Sequence, residues 1–296
     1  MPVDNTTSDY EYAQKNYGFN WADGHLKSYA NGYNIDGSSS DFSISAGVRA
    51  VRGEEGVYGV NNFDNTSAYT ITDNATGLMW SKYDDGYIND DGTIMDDTDE
   101  GWGEGKTWTD TLTWVQTMND ASYGGHDDWR LPDVKELQSI VEYEKTVLPA
   151  LDDGYFTLSR EDCFVWSSTT CGDFTEMADY IAIGRGYGIN LDDNTDSSSA
   201  TVNDFVDTHG SGCMRADYKD TESTTTSLTT NYTVSQAPLL SREKWLDIYG
   251  FDTDDMSNYP YDYTDDTFTE FDLTNSENAA DYIVLYNYAL LVRDTE

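Results

Sequence analysis

An acidic run over residues 84–100 contains the side chains best suited to bind a metal ion. Its sequence is DDGYINDDGTIMDDTDE. Calcium takes roughly six to eight oxygen ligands, which carboxylates and carbonyls supply. The run therefore indicates a calcium loop, with Asp90, Asp96, Asp97 and Asp99 as the candidate ligands. The alternative is an acidic loop that is only solvated and holds no ion.

The spacing within this run does not fit the EF-hand pattern. When Gly92 is placed at the glycine position of an EF-hand loop, Tyr87 falls at the first ligand position and Thr98 falls where a bidentate Glu belongs. A calcium site here would therefore be of another kind. A second and weaker acidic cluster lies further along the chain, at Asp192, Asp193 and Asp196.

The chain has three cysteines, and their spacing matches neither a zinc pattern nor a C-x-x-C redox motif. Cys163 and Cys171 flank a short apolar and hydroxyl-rich stretch, and we predict a small disulfide loop between them, as suits an oxidising compartment. Reduced, buried thiols are the alternative. If the disulfide forms, Cys213 is left free or pairs with another chain.

The histidines give no support to an enzyme. No two of His25, His126 and His209 lie at metal-ligand spacing, which argues against zinc. His209 follows Asp207, and serines are abundant, but no G-x-S-x-G nucleophile motif accompanies them. We therefore predict a protein without catalytic activity and with no certain cofactor, calcium being the one candidate.

The charge of the chain excludes several classes of partner. Its net charge is −40, from 56 acidic and 16 basic residues. Such a surface repels nucleic acid, which is bound by clustered Lys and Arg, and it repels anionic membrane surfaces. No stretch approaches the ~20 apolar residues of a membrane span, so membrane insertion is not expected. Self-repulsion favours surroundings that supply salt or divalent cations.

Two helices must lie in the middle of the chain. Thr107 is a candidate N-cap for a helix over residues 107–122, in which Trp108, Leu112 and Val115 share one face with Trp114 and Met118 beside it. Asp133 is a candidate N-cap for a second helix over residues 133–144. Its apolar residues at helical spacing are Val134, Leu137, Ile140 and Val141.

Most of the remaining chain is predicted to form short strands and long loops, which together with two helices indicates the α+β class. Residues 17–29 predict a hairpin that turns at Asp23 and Gly24, residues 69–80 predict two strands around a turn, and residues 81–105 predict a polar acidic loop. Residues 282–292 make the best strand candidate.

Two segments of the chain resemble each other. Residues 47–55 (GVRAVRGEE, here the Val-Arg segment) and residues 288–296 (YALLVRDTE) are both apolar runs that end in Val-Arg and then acid. Aligning Arg52 with Arg293 predicts a repeating unit of about 240 residues. We therefore expect residues 1–53 to be the C-terminal part of a first unit and residues 54–296 to be a complete unit.

Three motifs in order resemble the Lcl C-terminal domain family, named for the C-terminal domain of a collagen-like bacterial adhesin. They are residues 72–80 (TDNATGLMW), residues 124–132 (GGHDDWRLP) with 135–137 (KEL), and residues 165–169 (VWSST). Residues 205–212 and 286–293 also look like family segments. The resemblance implies a C-type-lectin-like, formylglycine-generating-enzyme-like fold in secreted or cell-surface proteins, often in tandem copies. Adhesive members oligomerise and bind sulfated glycans.

The charge of this chain departs from that family pattern, because a surface at −40 repels a sulfated glycan. We therefore predict an extracellular, non-enzymatic structural protein whose partner is itself, as an oligomer or a filament subunit. A carbohydrate-binding adhesin is the alternative, since exposed Tyr and Trp faces can stack on sugars. The polar residues of the motifs are predicted to be structural, with Trp129 and Leu131 in the core and Arg130 paired with a carboxylate.

Overall fold

A computed structural model describes two α-helices and eleven strands in the part of the chain that it covers. It covers residues 15–19, 26–30, 48, 50, 52–54, 59–95, 105–143, 145, 148–160, 163–172, 175–184, 186–189, 205–207, 210–220 and 286–295. The helices are α1 (Trp108–Asp120) and α2 (Val134–Ile140). The strands are β1 (Lys15–Phe19), β2 (Leu26–Ala30), β3 (Phe63–Asp64), β4 (Thr70–Asp73), β5 (Leu78–Ser81), β6 (Phe164–Thr170), β7 (Met177–Ala182), β8 (Tyr187–Ile189), β9 (Phe205–Asp207), β10 (Met214–Tyr218) and β11 (Val292–Asp294). The α+β class predicted from the sequence is confirmed.

Helix α1 begins where the sequence predicts. The Thr107 hydroxyl accepts a hydrogen bond from the Asp110 amide at 3.1 Å, which satisfies one of the free amides of the first turn. The buried face differs from the prediction, because Leu112 is exposed. The residues that face the core are Thr111, Trp114, Val115 and Met118, which also follow helical spacing.

Helix α2 begins with a capping box and ends earlier than predicted. The Asp133 carboxylate accepts from the Glu136 amide, and the Glu136 carboxylate accepts from the Asp133 amide, both at 2.8 Å. The helix ends at Ile140 and not near residue 144, because Val141 is extended and the Glu142 amide donates to the Ala150 carbonyl at 2.9 Å. Tertiary pairing therefore replaces the last predicted turn.

Strands β4 and β5 form the hairpin predicted for the first motif. Their turn is organised by the buried carboxylate of Asp73, which accepts from the Asn62 amide at 2.8 Å, the Ala75 amide at 3.0 Å and the Thr76 hydroxyl at 2.8 Å. Gly77 closes the turn at a φ of 75°, where glycine carries little steric cost. The hairpin lies in a four-stranded sheet of order β11-β5-β4-β3.

A second sheet, of order β10-β7-β6, covers the other side of the core. All of its pairs are antiparallel, and α2 lies against β6 and β7. Trp166 on β6 packs edge-on against Tyr180 on β7 at a ring distance of 5.5 Å. Trp80 on β5 and Trp166 are both fully buried, so one core lies between the two sheets and the helices.

The two sheets are joined by residues 286–295, here the C-terminal segment. Val292 pairs with Trp80 on β5 and bridges to Arg130, whereas Tyr288 bridges to Val165 on β6. The continuous strand predicted for residues 282–292 is therefore wrong for residues 286–291, which change partners along their length. Only residues 292–294 form a strand, and residues 282–285 lie outside the described ranges.

Near the N-terminus, β1 and β2 pair antiparallel from Phe19↔Leu26 to Lys15↔Ala30. The predicted hairpin is therefore confirmed, and its turn lies outside the described residues. The Lys135 ammonium of α2 lies 5.1 Å from the centre of the Phe19 ring, so the hairpin contacts the domain at that helix. The boundary at residue 53 and the C-type-lectin-like topology stay predictions.

Candidate functional site

The predicted calcium ligands are only partly within the described chain. Asp90 is exposed, and Asp96, Asp97 and Asp99 lie outside the described ranges, as do Asp192, Asp193 and Asp196. Over the part of the acidic run that is described, the Asp91 carboxylate accepts from the Thr93 amide at 3.0 Å. Among the described residues, no three His, Cys, Asp or Glu side chains are grouped closely enough to hold a metal ion. Calcium binding stays a prediction.

The first two aspartates of the run are not solvated, which corrects the prediction of a polar loop from residue 81 onward. Asp84 and Asp85 are both buried. The Asp84 carboxylate accepts from the Ser159 amide at 2.8 Å, from the Ser159 hydroxyl, and from the Gly86 amide at 3.2 Å. A Cβ at Gly86 would lie 2.1 Å from the Ser159 hydroxyl oxygen, so only glycine allows this approach.

Asp84 is held in an unusual electrostatic state. Burial raises the pKa of its carboxyl from 3.8 to about 7, the charge of Asp85 raises it further, and the hydrogen bonds from Ser159 and Gly86 oppose the rise. Burial and the neighbouring charge of Asp84 also raise the pKa of the Tyr288 phenol. The Asp84 carboxyl, which lies beside Tyr288 of the C-terminal segment, is therefore expected to change charge near neutral pH.

Asp85 fastens the C-terminal segment to the body of the domain. Its carboxylate contacts the Lys106 ammonium at 2.8 Å and accepts from the Ala289 amide at 2.7 Å, across 204 positions of the chain. Lys106 and Asn287 exchange two backbone hydrogen bonds, of 2.8 and 3.1 Å. A Cβ at Gly105 would lie within 2.9 Å of the Asn287 backbone, so this glycine permits the close approach.

We call this group the buried polar junction; it consists of the buried residues Asp84, Asp85, Ser159 and Asn287 and of the partly exposed Lys106. Asn287 is 1% exposed, yet neither atom of its side-chain amide has a hydrogen-bond partner among the described residues. The indole nitrogen of Trp114 is also buried without a hydrogen-bond partner among the described residues. The centre of the Trp114 ring lies 5.7 Å from the Lys106 ammonium. Buried polar groups without partners are rare in folded proteins, so they mark this junction.

The second motif is built into the scaffold, as the sequence predicts. Arg130 makes a bidentate pair with Glu136, with distances of 2.6 and 2.7 Å. Burial raises the pKa of Glu136, but the hydrogen bonds from Arg130 and from the Asp133 amide, together with the charge of Arg130, outweigh burial and bring the pKa below its ordinary value. Trp129 and Leu131 are buried, and the Trp129 indole donates to the Tyr123 carbonyl at 2.9 Å.

The third motif likewise satisfies backbone groups. The Ser167 hydroxyl donates to the Asp179 carbonyl at 2.7 Å, and the Thr169 hydroxyl accepts from the Val134 amide at 3.0 Å. Asp128, at the exposed end of the second motif, makes a bidentate pair with Arg293 of the C-terminal segment, with distances of 2.6 and 3.0 Å. Arg130, Ser167 and Thr169 therefore hold elements of the domain together, and Asp128 holds the C-terminal segment.

The predicted disulfide between Cys163 and Cys171 is wrong. These two cysteines stand at opposite ends of β6, where the Cys163 carbonyl accepts from Ile183 and the Cys171 amide donates to Met177. Ile183 and Met177 are six positions apart along β7 and its extension, which corresponds to about 20 Å in an extended strand. A disulfide needs a Cα distance of roughly 4.4–6.8 Å. Cys163, Cys171 and Cys213 are all buried, and none of them forms a disulfide among the described residues.

The comparison with known protein families matches this scaffold. The sequence model of the Lcl C-terminal domain matches residues 69–205. Within these residues the chain has the sequence pattern of an Lcl C-terminal domain. This match confirms the resemblance carried by the three motifs, and it is compatible with a domain of bacterial surface proteins. No curated protein and no solved structure matches the chain significantly.

The packing of the Lcl C-terminal domain extends beyond the matched residues. Strand β10 completes the three-stranded sheet, and the C-terminal segment lies between the two sheets, although both follow residue 205. No described helix has the length and apolarity needed to cross a bilayer. The buried polar junction was missed by sequence reasoning, because Asp84 and Asp85 look like the solvated aspartates that follow them.

Proposed function

We propose that this chain is a non-enzymatic extracellular structural protein that associates with copies of itself, as a filament or matrix subunit. The observation that carries the proposal is the state of the Val-Arg segment. Val48 is 96% exposed and Arg52 is exposed, whereas the matching Ala289 is fully buried and the matching Arg293 is paired with Asp128. An apolar, strand-like stretch at the surface tends to pair with another chain.

The roles of the motif residues support a structural function. Several charged and hydroxyl side chains of the second and third motifs make contacts inside the domain, including Arg130 with Glu136 and Ser167 with the Asp179 carbonyl. Among the described residues, two of the exposed aromatic side chains also have internal contacts. Tyr69 packs edge-on against Tyr123, and Phe19 lies under the Lys135 ammonium. These contacts favour a scaffold over a sugar-binding platform.

The charge of the chain predicts how association depends on the medium. At −40, copies repel one another at low ionic strength, and salt shortens the range of this repulsion to about 8 Å at physiological concentration. Association is therefore expected to increase with salt. If the acidic run over residues 84–100 binds calcium, millimolar calcium is expected to promote association further than monovalent salt of equal ionic strength.

The test is light scattering and electron microscopy of the full chain across salt and calcium concentrations. We expect large oligomers or filaments, and we expect Val48→Asp to abolish them by placing a charge in the Val-Arg segment. Val60→Asp is the matched control, because Val60 is 53% exposed and lies outside that segment. A monodisperse monomer under all conditions, or equal loss of assembly in both variants, would overturn the proposal. Binding of single copies to a glycan array would favour the adhesin alternative.

A further inference from the structure

Lys106 and Asn287 face each other inside the domain. The two residues form an antiparallel bridge and exchange both backbone hydrogen bonds. In such a pair the Cα atoms lie about 5.5 Å apart and the two side chains project from the same side of the ladder. A lysine side chain is long enough to reach the carboxamide of an asparagine placed directly opposite to it.

The side chain of Asn287 has no other role among the described residues. It is 1% exposed, and neither its amide nitrogen nor its carbonyl oxygen has a described partner. A buried amide in this state is destabilising relative to one that is hydrogen-bonded. The position therefore carries a polar group that packing alone does not require.

Asp85 is placed to move protons for this pair. Its Oδ2 lies 2.8 Å from the Lys106 ammonium nitrogen, and its Oδ1 accepts from the amide of Ala289, two residues after Asn287. The carboxylate is therefore held against both the lysine and the C-terminal segment, which carries the asparagine. Trp114 and the buried Trp166 lie alongside, the latter donating to the Lys106 carbonyl at 2.9 Å. The Asp85 side chain is fully buried, whereas the Lys106 side chain keeps 28% of its surface exposed.

We propose that Lys106 and Asn287 form an intramolecular isopeptide bond. Asp85 takes a proton from the Lys106 ammonium, and the neutral Nζ attacks Cγ of Asn287. The new C–N bond forms as the bond from Cγ to Nδ2 breaks. The two protons that leave Nζ pass through Asp85 to Nδ2, which departs as ammonium. No oxidant, reductant or cofactor is needed, and the product is a secondary amide.

The bond would lock the C-terminal segment into the core. The segment already joins the two sheets through Tyr288 and Val292, and it is held there by Asp85 and by the Arg293 pair with Asp128. A covalent link at Asn287 keeps these contacts closed under mechanical load, as a filament subunit requires. This inference adds to the proposed function but does not depend on it.

The test is the mass of the denatured full chain, followed by peptide mapping. We expect a mass below that of the sequence by one ammonia, and a branched peptide that contains both Lys106 and Asn287. Lys106→Met and Asn287→Ala each remove one of the two reacting side chains. Each variant is therefore expected to have the mass calculated from its own sequence, with no loss of ammonia. Lys82→Met, at a lysine outside the junction, is the control and is expected to keep the deficit.

A wild-type mass equal to that of the sequence overturns the inference, whether or not the variants fold. A deficit of one water with a branched peptide through Asp85 also overturns it, because the acceptor would then be the carboxylate. Asp85→Asn keeps both reacting residues and is expected to slow bond formation at least tenfold. The two proposals can fail separately. A monomer that carries the cross-link contradicts only the proposed function. A filament whose subunits have the mass calculated from the sequence contradicts only the isopeptide bond.

Discussion

The Val-Arg segment and the C-terminal segment have similar sequences and opposite environments. Val48 is almost fully exposed, whereas Ala289, Leu290, Leu291 and Val292 have no exposed surface. The difference follows from what each segment meets. Along its length the C-terminal segment pairs first with Lys106, then with β6, and finally with β5 and Arg130, so its pairing partners are defined at both ends.

The two segments are not interchangeable. Arg49 occupies the position that matches Leu290, and an arginine placed in that fully buried site would lose its hydration without a partner. The Val-Arg segment therefore does not replace the C-terminal segment in the core of a second copy. Under the proposed function it docks on a surface, where the arginine stays in water.

The largest expected effect comes from truncating the buried segment. Leu291→Ala removes a fully buried side chain and is expected to lower the free energy of unfolding by about 2–5 kcal/mol. Val48→Ala, at the exposed segment, is expected to change it by less than about 0.5 kcal/mol. Urea denaturation measures both. Equal losses would show that the Val-Arg segment is also part of a core.

The next effect concerns pH. Because the pKa of Asp84 is raised from 3.8 to about 7 in the folded state, the unfolded chain releases this proton first as the pH rises. The free energy of unfolding is therefore expected to fall between about pH 4 and pH 7, by up to about 1.4 kcal/mol per pH unit at the steepest point.

Asp84→Asn isolates this contribution. The difference in unfolding free energy between the wild type and the variant should change across pH 5 to 8 in urea titrations, with the variant gaining relative to the wild type as the pH rises. A difference that stays constant over this range would show that the carboxyl under the C-terminal segment does not titrate there. Among the described residues, the Val-Arg segment has no buried carboxyl beside it that corresponds to Asp84.

The smallest effect separates the two matching arginines. Arg293→Met keeps the apolar stem and removes the pair with Asp128, an exposed carboxylate, so the expected loss of stability is about 0.5–1 kcal/mol. Arg52→Met is expected to leave stability unchanged, because Arg52 is exposed. Thermal unfolding at matched salt compares them. A larger loss for Arg52→Met would contradict the exposed state of the Val-Arg segment.

Local signals predicted much of the scaffold. Thr107 and Asp133 mark the starts of both helices, and the turn after Asp73 marks the β4–β5 hairpin, because caps and turns are set by residues close in sequence. The C-terminal ends of the helices were harder to predict. Helix α2 stops at Ile140 because Glu142 pairs with Ala150, a contact that no local pattern contains.

The candidate site shows the same division more sharply. The order of the three motifs was enough to identify the Lcl C-terminal domain, and their residue types were enough to predict the pairing of Arg130 with a carboxylate. The buried polar junction was beyond reach, because Asp85 meets Ala289 across 204 positions of the chain. The supposed disulfide failed for a related reason: eight positions are close in sequence, but an extended strand keeps them apart.

Family, class, helix starts and net charge were therefore already contained in the order and type of the residues, because each depends on local spacing or on composition. The packing of distant parts of the chain decided the rest. It determined which aspartates are buried, which of the two similar segments lies in the core, and which asparagine faces Lys106. The physical reason is that burial and pairing depend on the neighbours in space, and an acidic side chain carries no local sign of whether water or a lysine will be its partner.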